Sequence, residues 1–204
     1  MSNRTRFMSA CRWVVLAVMS LTLVGTAGAQ YVREPAPGIL LVAGDGMADP
    51  RFEHAVVLLI QHDASGSWGL IINKPTNVNL GEVLPAVQQT GTTPNVYFGG
   101  PVQIDHLSFL YRDGGNDNDS DSGAGLPGVY WSASEKSLEK RLSQDQAAKL
   151  RVYAGYAGWA PGQLLFEIHH GGWKMIEGRG DNVFSDNPKA LWQHLTDALG
   201  GIAI

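Results

Sequence analysis

Cysteine is almost absent from this sequence. The 204 residues contain one, Cys11, close to the amino terminus. The rest of the chain can form no internal disulfide and supplies no thiol, which excludes a disulfide-stapled fold and cysteine-based catalysis. A chain of this length folds without such cross-links, because a domain of this size buries enough apolar surface to be stable.

Basic residues are few and scattered. Fifteen lysines and arginines stand against nineteen acidic residues, for a formal net charge of −4, and no cluster of basic residues occurs. A net acidic surface repels a phosphate backbone unless a local basic cluster offsets it. The composition therefore argues against nucleic acid as a partner.

Long apolar runs are also missing, except near the amino terminus. Three arginines precede the apolar segment 13–24, and small residues follow at 26–29. This order predicts a signal peptide over residues 1–29, cleaved before Gln30. The alternative is a membrane anchor, but about twelve apolar residues are shorter than the roughly twenty that a spanning helix needs. We therefore predict an exported protein, periplasmic or secreted, with no stable membrane span. Cleavage removes three basic and no acidic residues, which changes the net charge from −4 to −7.

Short apolar runs dominate what remains. Segments 39–43 and 55–60 are continuously apolar and rich in branched side chains, as expected of strands buried on both faces. Asp63 and Gly66 then supply turn residues before the segment 69–75, "GLIINKP", whose apolar part is 70–72. These features predict an early antiparallel hairpin.

Two stretches carry helix signals. Asn79, with Glu82 three residues later, predicts the capped start of a short helix. Near the carboxyl terminus, Asp186 or Asn187 is the expected cap and Pro188 the first helical residue. Apolar residues then recur at helical spacing as one core-facing stripe: Leu191, Trp192, Leu195, Ala198 and Leu199. Helices and strands without regular alternation predict an α+β fold over residues 38–204, with 30–37 as an extended lead-in.

Four stretches occur in an order and spacing that resemble the YqgE/AlgH family of bacterial proteins: "ILLVAGDGMADPRF", "AVVLLIQHDASGSWGLIINKP", "VYFGGPV" and "GYAGWAPGQLLFEI". The resemblance implies a single α+β domain whose mixed or antiparallel sheet bends into a partial barrel, with short flanking helices and a carboxyl-terminal helix. The family is linked by name to regulation of transcription, and its biochemical activity is unassigned. Its members usually look cytoplasmic, so the predicted export signal is a departure. No catalytic residue carries over.

The usual catalytic signatures are missing. The hydrolase elbow Gly-x-Ser-x-Gly and the zinc motif His-Glu-x-x-His do not occur. Gly155, Gly158 and Gly162 precede a predicted helix, but Gln163 stands where a phosphate loop requires lysine. We interpret these glycines as sites of positive φ and close packing. The sequence thus predicts no catalytic residue and no cofactor.

An acidic, glycine-rich segment at 113–125 predicts a mobile surface loop. Asp117, Asp119 and Asp121 alternate like the first ligands of a calcium loop. However, the glycine comes one position late, at Gly123, and the twelfth position lacks the bidentate glutamate. Weak calcium binding by these three residues remains the alternative interpretation.

Polar residues at the ends of apolar strands form the candidate ligand site, since sites often collect there. In a bent sheet they could line one pocket, or each could simply satisfy backbone groups at a turn. The leading hypothesis is an exported, non-enzymatic binding or regulatory module acting through a protein or a small ligand. The alternatives are an enzyme built on the polar members of the set and a transcription-linked regulator. The polar members are His62, Asn73, Lys74 and Gln163, with Trp68 and Trp159 as walls.

Overall fold

The computed structural model describes residues 34–85, 87, 93–112, 123–143 and 150–200. The predicted signal peptide, residues 1–29, lies outside them. The strands are β1 (Ile39–Ala43), β2 (Val56–Asp63), β3 (Gly66–Ile71), β4 (Pro75–Asn79), β5 (Asn95–Phe98), β6 (Val102–Arg112), β7 (Gly123–Leu126), β8 (Val129–Ser132), β9 (Leu150–Trp159) and β10 (Trp173–Glu177). The helices are α1 (Leu80–Val83), α2 (Glu135–Ser143), α3 (Gln163–His169), α4 (Gly180–Val183) and α5 (Leu191–Gly200), and a 3-10 turn at Pro188–Ala190 precedes α5. Within the described ranges, no helix is long and apolar enough to cross a membrane.

The strands form one curled sheet. Its order is β10-β1-β2-β3-β9-β6-β8-β7, while β5 pairs in parallel with β9 and antiparallel with β4. The sheet curls far enough that Gly38, just before β1, lies against Gly125 of the edge strand β7, although β1 and β7 do not pair. A Cβ on Gly38 would stand 2.2 Å from the Gly125 carbonyl oxygen. The sheet is thus a half-barrel, and the predicted single α+β domain is confirmed.

The early hairpin is confirmed, with a shorter second strand than predicted. Asp63 pairs with Gly66 across the turn, and its carboxylate accepts a hydrogen bond from the Ser65 backbone N–H at 2.7 Å. β3 ends at Ile71. The reason is that the Asn73 side chain, and not a strand backbone, accepts the hydrogen bond of Val56 N–H at 2.8 Å. The chain then turns away into β4.

β9 changes the face it presents to the core at Gly155. Tyr153 and Tyr156 are three residues apart, yet both contribute to the same hydrophobic cluster. In a regular strand, such residues point to opposite faces. Gly155 has a φ of 68°, and a Cβ there would lie 2.4 Å from the Gly100 carbonyl oxygen. This one left-handed residue allows Trp159 to reach a second cluster on the other face.

The helix signals are confirmed in α1 and partly in α5. Asn79 accepts a hydrogen bond from Gly81 N–H at 2.9 Å and forms a capping box with Glu82. At the carboxyl terminus Asn187 occupies the predicted N-cap position and Pro188 the first helical position, but the Asn187 side chain makes no cap hydrogen bond and the first turn is a 3-10 turn. The stripe packs as expected except at one exposed position: Leu191, Trp192, Leu195 and Leu199 join the core, and Ala198 does not.

The last three residues of the predicted acidic loop, 123–125, form part of a strand. Residues 113–122, including the calcium candidates Asp117, Asp119 and Asp121, lie outside the described residues. Residues 123–125 belong to β7, which pairs with β8. Ala124 is buried in the core, so the loop prediction is wrong for its last three residues. Apolar burial at alternate positions explains why this glycine-rich end forms a strand.

Candidate functional site

A concave surface of about 560 Å³ lies beside α3. We call it the α3 groove. Its lining comes from residues 46–52 of the loop between β1 and β2, from 101–102, from 158–159 at the end of β9, and from 163–172 in and after α3. The volume falls within the usual range for small-molecule sites. The groove is therefore large enough to hold a small molecule.

The turn from β9 into α3 positions one wall of the groove. Gly162 precedes the helix with a φ of 78°, which confirms the expected positive φ at this glycine. No side chain caps the helix from that position. Instead, the Gln163 side-chain oxygen accepts a hydrogen bond from the Ala160 backbone N–H at 3.0 Å. Gln163 thus holds the turn that joins Trp159 to α3.

Glu167 connects three elements through its carboxylate. Its Oε2 accepts hydrogen bonds from the indole N–H groups of Trp159 at 2.9 Å and Trp173 at 2.8 Å. Its Oε1 accepts one from the Gln163 side-chain amide at 2.9 Å, one helical turn earlier. Both tryptophans are buried, so each indole needs this partner. One half-buried acid therefore ties β9, α3 and β10 together.

Aromatic rings form the apolar part of the groove. The Phe52 ring centroid lies 6.4 Å from that of Trp159 and 5.6 Å from that of Trp173. On the α3 side of the groove, the ring centroids of Phe166 and His170 are 4.0 Å apart, and Phe166 is 63% exposed. An apolar ligand entering the groove would cover these rings.

On the loop side of the groove, Asp49 and Arg51 form an ion pair with each other. Arg51 donates to both carboxylate oxygens of Asp49, the shortest contact being 2.6 Å. The hydrogen bond from the Arg51 side chain is the main cause that lowers the pKa of Asp49. Because the two charges cancel, Glu167 supplies the groove's unbalanced formal charge when histidine is neutral.

Asn73 and Lys74 hold this loop against the sheet. Asn73 is buried; it accepts from Val56 N–H and donates to the His54 carbonyl at 2.8 Å. Lys74 donates to the Arg51 carbonyl at 2.9 Å, and burial lowers the pKa of its ammonium group. Both side chains bond to backbone, which agrees with the turn-satisfying interpretation of these residues.

A second concave surface of about 390 Å³ lies on the other side of β9. We call it the Trp68 cleft. The ring centroid of Trp68 lies 5.1 Å from that of Trp131 and 5.9 Å from that of Tyr156, and both pairs pack edge to face. The indole N–H of Trp68 donates to the Gln61 side chain at 3.0 Å. His106 also lines this cleft.

The six predicted site residues thus separate. Trp159 and Gln163 share the α3 groove, while Trp68 belongs to the Trp68 cleft. Asn73 and Lys74 donate hydrogen bonds to backbone carbonyls of the segment between β1 and β2 and do not line the groove. His62 lies at the hairpin, where its Nδ1 is 2.7 Å from the Ser67 hydroxyl.

Sequence reasoning named Trp159 and Gln163 but missed Glu167, which bonds to both, and its second tryptophan partner, Trp173. The signal was local: Glu167 follows Gln163 by four residues, and Trp159 and Trp173 stand eight and six residues away. A carboxylate in a short helix between two tryptophan-bearing strands could have indicated this hub. Phe166 gave no comparable signal. In the described ranges, no group of three or more His, Cys, Asp or Glu could hold a metal ion.

Known proteins are similar to this chain in sequence and in fold. The AlgH-like family profile, DUF179, matches residues 40–203. A UPF0301 protein of Streptomyces coelicolor is 38% identical over 161 residues, which are 78% of this chain and 83% of the relative. The crystal structure of protein DIP2367 from Corynebacterium diphtheriae is similar with a TM-score of 0.68 at 26% identity, covering 80% of this chain and 86% of that one. The solution structure of AlgH from Pseudomonas aeruginosa is similar with a TM-score of 0.66 at 29% identity, covering 84% and 94%. The chain therefore belongs to the AlgH-like family.

Proposed function

We propose that the protein is an exported, non-enzymatic module that binds a small ligand in the α3 groove. The observation that carries the proposal is the hydrogen-bonded hub at Glu167, which fixes Trp159 and Gln163 beside an open aromatic wall. A site whose side chains are already fixed loses little entropy when a ligand binds. Such preorganisation is what a binding module needs.

The contacts of the polar candidates favour binding over catalysis. An enzyme built on His62, Asn73, Lys74 and Gln163 would require these side chains to converge on one substrate. They do not share one surface, and Asn73 and Lys74 are engaged by backbone carbonyl and N–H groups. The acidic composition and the predicted export signal also argue against a role in transcription.

An amide-detected NMR screen tests the binding site. We expect some compounds of a small-fragment library to shift the backbone amides of residues 46–52 and 158–172 in the purified protein. Phe166→Ala removes an exposed ring from the groove and should weaken those shifts without unfolding the protein. Ile104→Ala is the matched control, because Ile104 is also exposed but lies outside the groove. Fragments that shift only other regions would refute the proposed site.

Export is tested independently in the native bacterium. We expect the mature protein to begin at Gln30 and to appear in the periplasmic or extracellular fraction. Amino-terminal sequencing and fractionation measure both. A full-length chain in the cytoplasm would refute export and restore the transcription-linked alternative.

A further inference from the structure

We propose that the α3 groove selects small organic cations that carry an ammonium group on an apolar body. This inference rests on the proposed function, because it names the ligand class for the same groove. The reason is the combination of an unpaired carboxylate and aromatic rings at one concave surface. Small organic cations fit three features of the groove. These features are its charge, its free acceptor position and its ring faces.

Among the described residues, the side chains that donate hydrogen bonds to the Glu167 carboxylate are all neutral. Its hydrogen-bond partners are two indoles and one amide, none of which neutralises a carboxylate. In the described part of the chain, no lysine or arginine forms an ion pair with Glu167. Of the other charged residues in the lining, Asp49 and Arg51 form an ion pair with each other. The Lys74 ammonium lies outside the lining, with the carboxylates of Glu53 and Asp49 near it. With histidine neutral, the lining consequently carries one formal negative charge, on the half-buried Glu167, where Coulomb attraction is stronger than in bulk water.

The carboxylate also has room for a further donor. A carboxylate offers about four acceptor positions on its two oxygens. The two indoles occupy Oε2, and the Gln163 amide uses one position of Oε1. No second donor to Oε1 occurs among the described residues, so this position remains for an N–H of a ligand, and a charged donor forms the stronger hydrogen bond there.

The rings around the carboxylate match the rest of such a ligand. Phe52, Trp159 and Phe166 line the groove together with Glu167. Aromatic faces attract ammonium groups through their quadrupoles, and they cover apolar groups as well. An anionic ligand would instead meet the uncompensated charge of Glu167, while a neutral one would leave it unpaired.

Three probes of similar size and different charge test the selectivity. The full protein is titrated at constant ionic strength with phenethylammonium, 2-phenylethanol and 3-phenylpropionate, followed by the amide shifts of residues 158–172. We expect the cation to bind about tenfold more tightly than the alcohol, and the anion to bind most weakly. Equal affinities, or a preference for the alcohol or the anion, would overturn the inference.

Two variants shift the cation preference in opposite directions. Glu167→Gln removes the charge and keeps an acceptor for the indoles, so it should abolish the difference between cation and alcohol. Arg51→Gln leaves Asp49 unpaired, so it should tighten cation binding about threefold. Because Arg51 is exposed, that variant tests the idea even if Glu167→Gln fails to fold. Unchanged cation affinity in Arg51→Gln would contradict the inference.

The titration also separates this inference from the proposed function. If all three probes shift the groove amides with equal affinity, the groove is a binding site and the cation selectivity is wrong. If no probe and no library fragment shifts them, both the selectivity and the binding site are wrong.

Discussion

The α3 groove and the Trp68 cleft are both aromatic surfaces to which β9 contributes a ring, but different interactions hold their rings in place. Trp159 reaches the groove and Tyr156 reaches the cleft from opposite faces of that strand. In the groove, one carboxylate fixes the indoles by hydrogen bonds. In the cleft, rings pack edge to face, and the buried indole nitrogen of Trp131 has no hydrogen-bond partner in the described structure.

This difference separates a preorganised surface from a packed one. Hydrogen bonds to a charged acceptor are directional and fix both position and orientation. Ring packing stabilises a fold but leaves its exposed side chains less constrained. The comparison supports the proposal that a ligand binds in the groove and not in the cleft.

The largest effect is expected from Gly155→Ala, which disrupts both regions. A side chain at this left-handed position is strained, and its Cβ would collide with the Gly100 carbonyl. We expect the free energy of unfolding in urea to fall by about 3 kcal/mol or more. Gly46→Ala is the control, because Gly46 has no positive φ and open space around its Cβ. Equal stability of the two variants would contradict the role of Gly155.

The next largest effect separates the two regions. Glu167→Ala leaves two buried indole N–H groups without a partner, and we expect a loss of about 2–4 kcal/mol in unfolding free energy. The corresponding change in the cleft, Gln61→Ala, removes the acceptor of the half-buried Trp68 indole and should lose about 1 kcal/mol or less. Urea denaturation measures both. Similar losses would show that the groove is not held more firmly than the cleft.

Trp68→Ala sharpens the comparison by separating stability from binding. Removing this half-buried ring from its contacts with Trp131 and Tyr156 should reduce the unfolding free energy by roughly 1–2 kcal/mol. Phenethylammonium binding, followed by amide shifts in the groove, should not change. Loss of that binding in a folded variant would show that the two regions act together.

Much of the fold could be predicted because its signals are local. The buried strands β1 and β2, the Asp63–Gly66 turn and the Asn79 cap each depend on a few adjacent residues. The face change in β9 could not be predicted. It depends on the approach of Gly155 to Gly100 across the sheet.

The candidate site could also be predicted only where its signals are local. Trp159 and Gln163 lie in a motif whose turn chemistry is readable, and both line the groove. The partners of Asn73 and Lys74 are backbone carbonyls of His54 and Arg51, and carbonyl groups carry no residue-specific signal. Their position at the end of an apolar strand therefore identified these side chains as candidates, but it could not predict which groups they contact.

The smallest expected effect concerns pH and the loop of the groove, through Lys74. Burial lowers the pKa of Lys74 below its ordinary value of 10.5 in the folded protein. At neutral pH the ammonium is charged in both states, and the folded state carries the cost of its desolvation. As pH rises from the folded pKa to 10.5, the unfolded chain binds more protons, so the unfolding free energy increases. Lys74→Met lacks this titration. Its urea-measured stability relative to wild type should be constant near neutral pH and fall at alkaline pH, whereas parallel profiles would show that burial does not perturb Lys74.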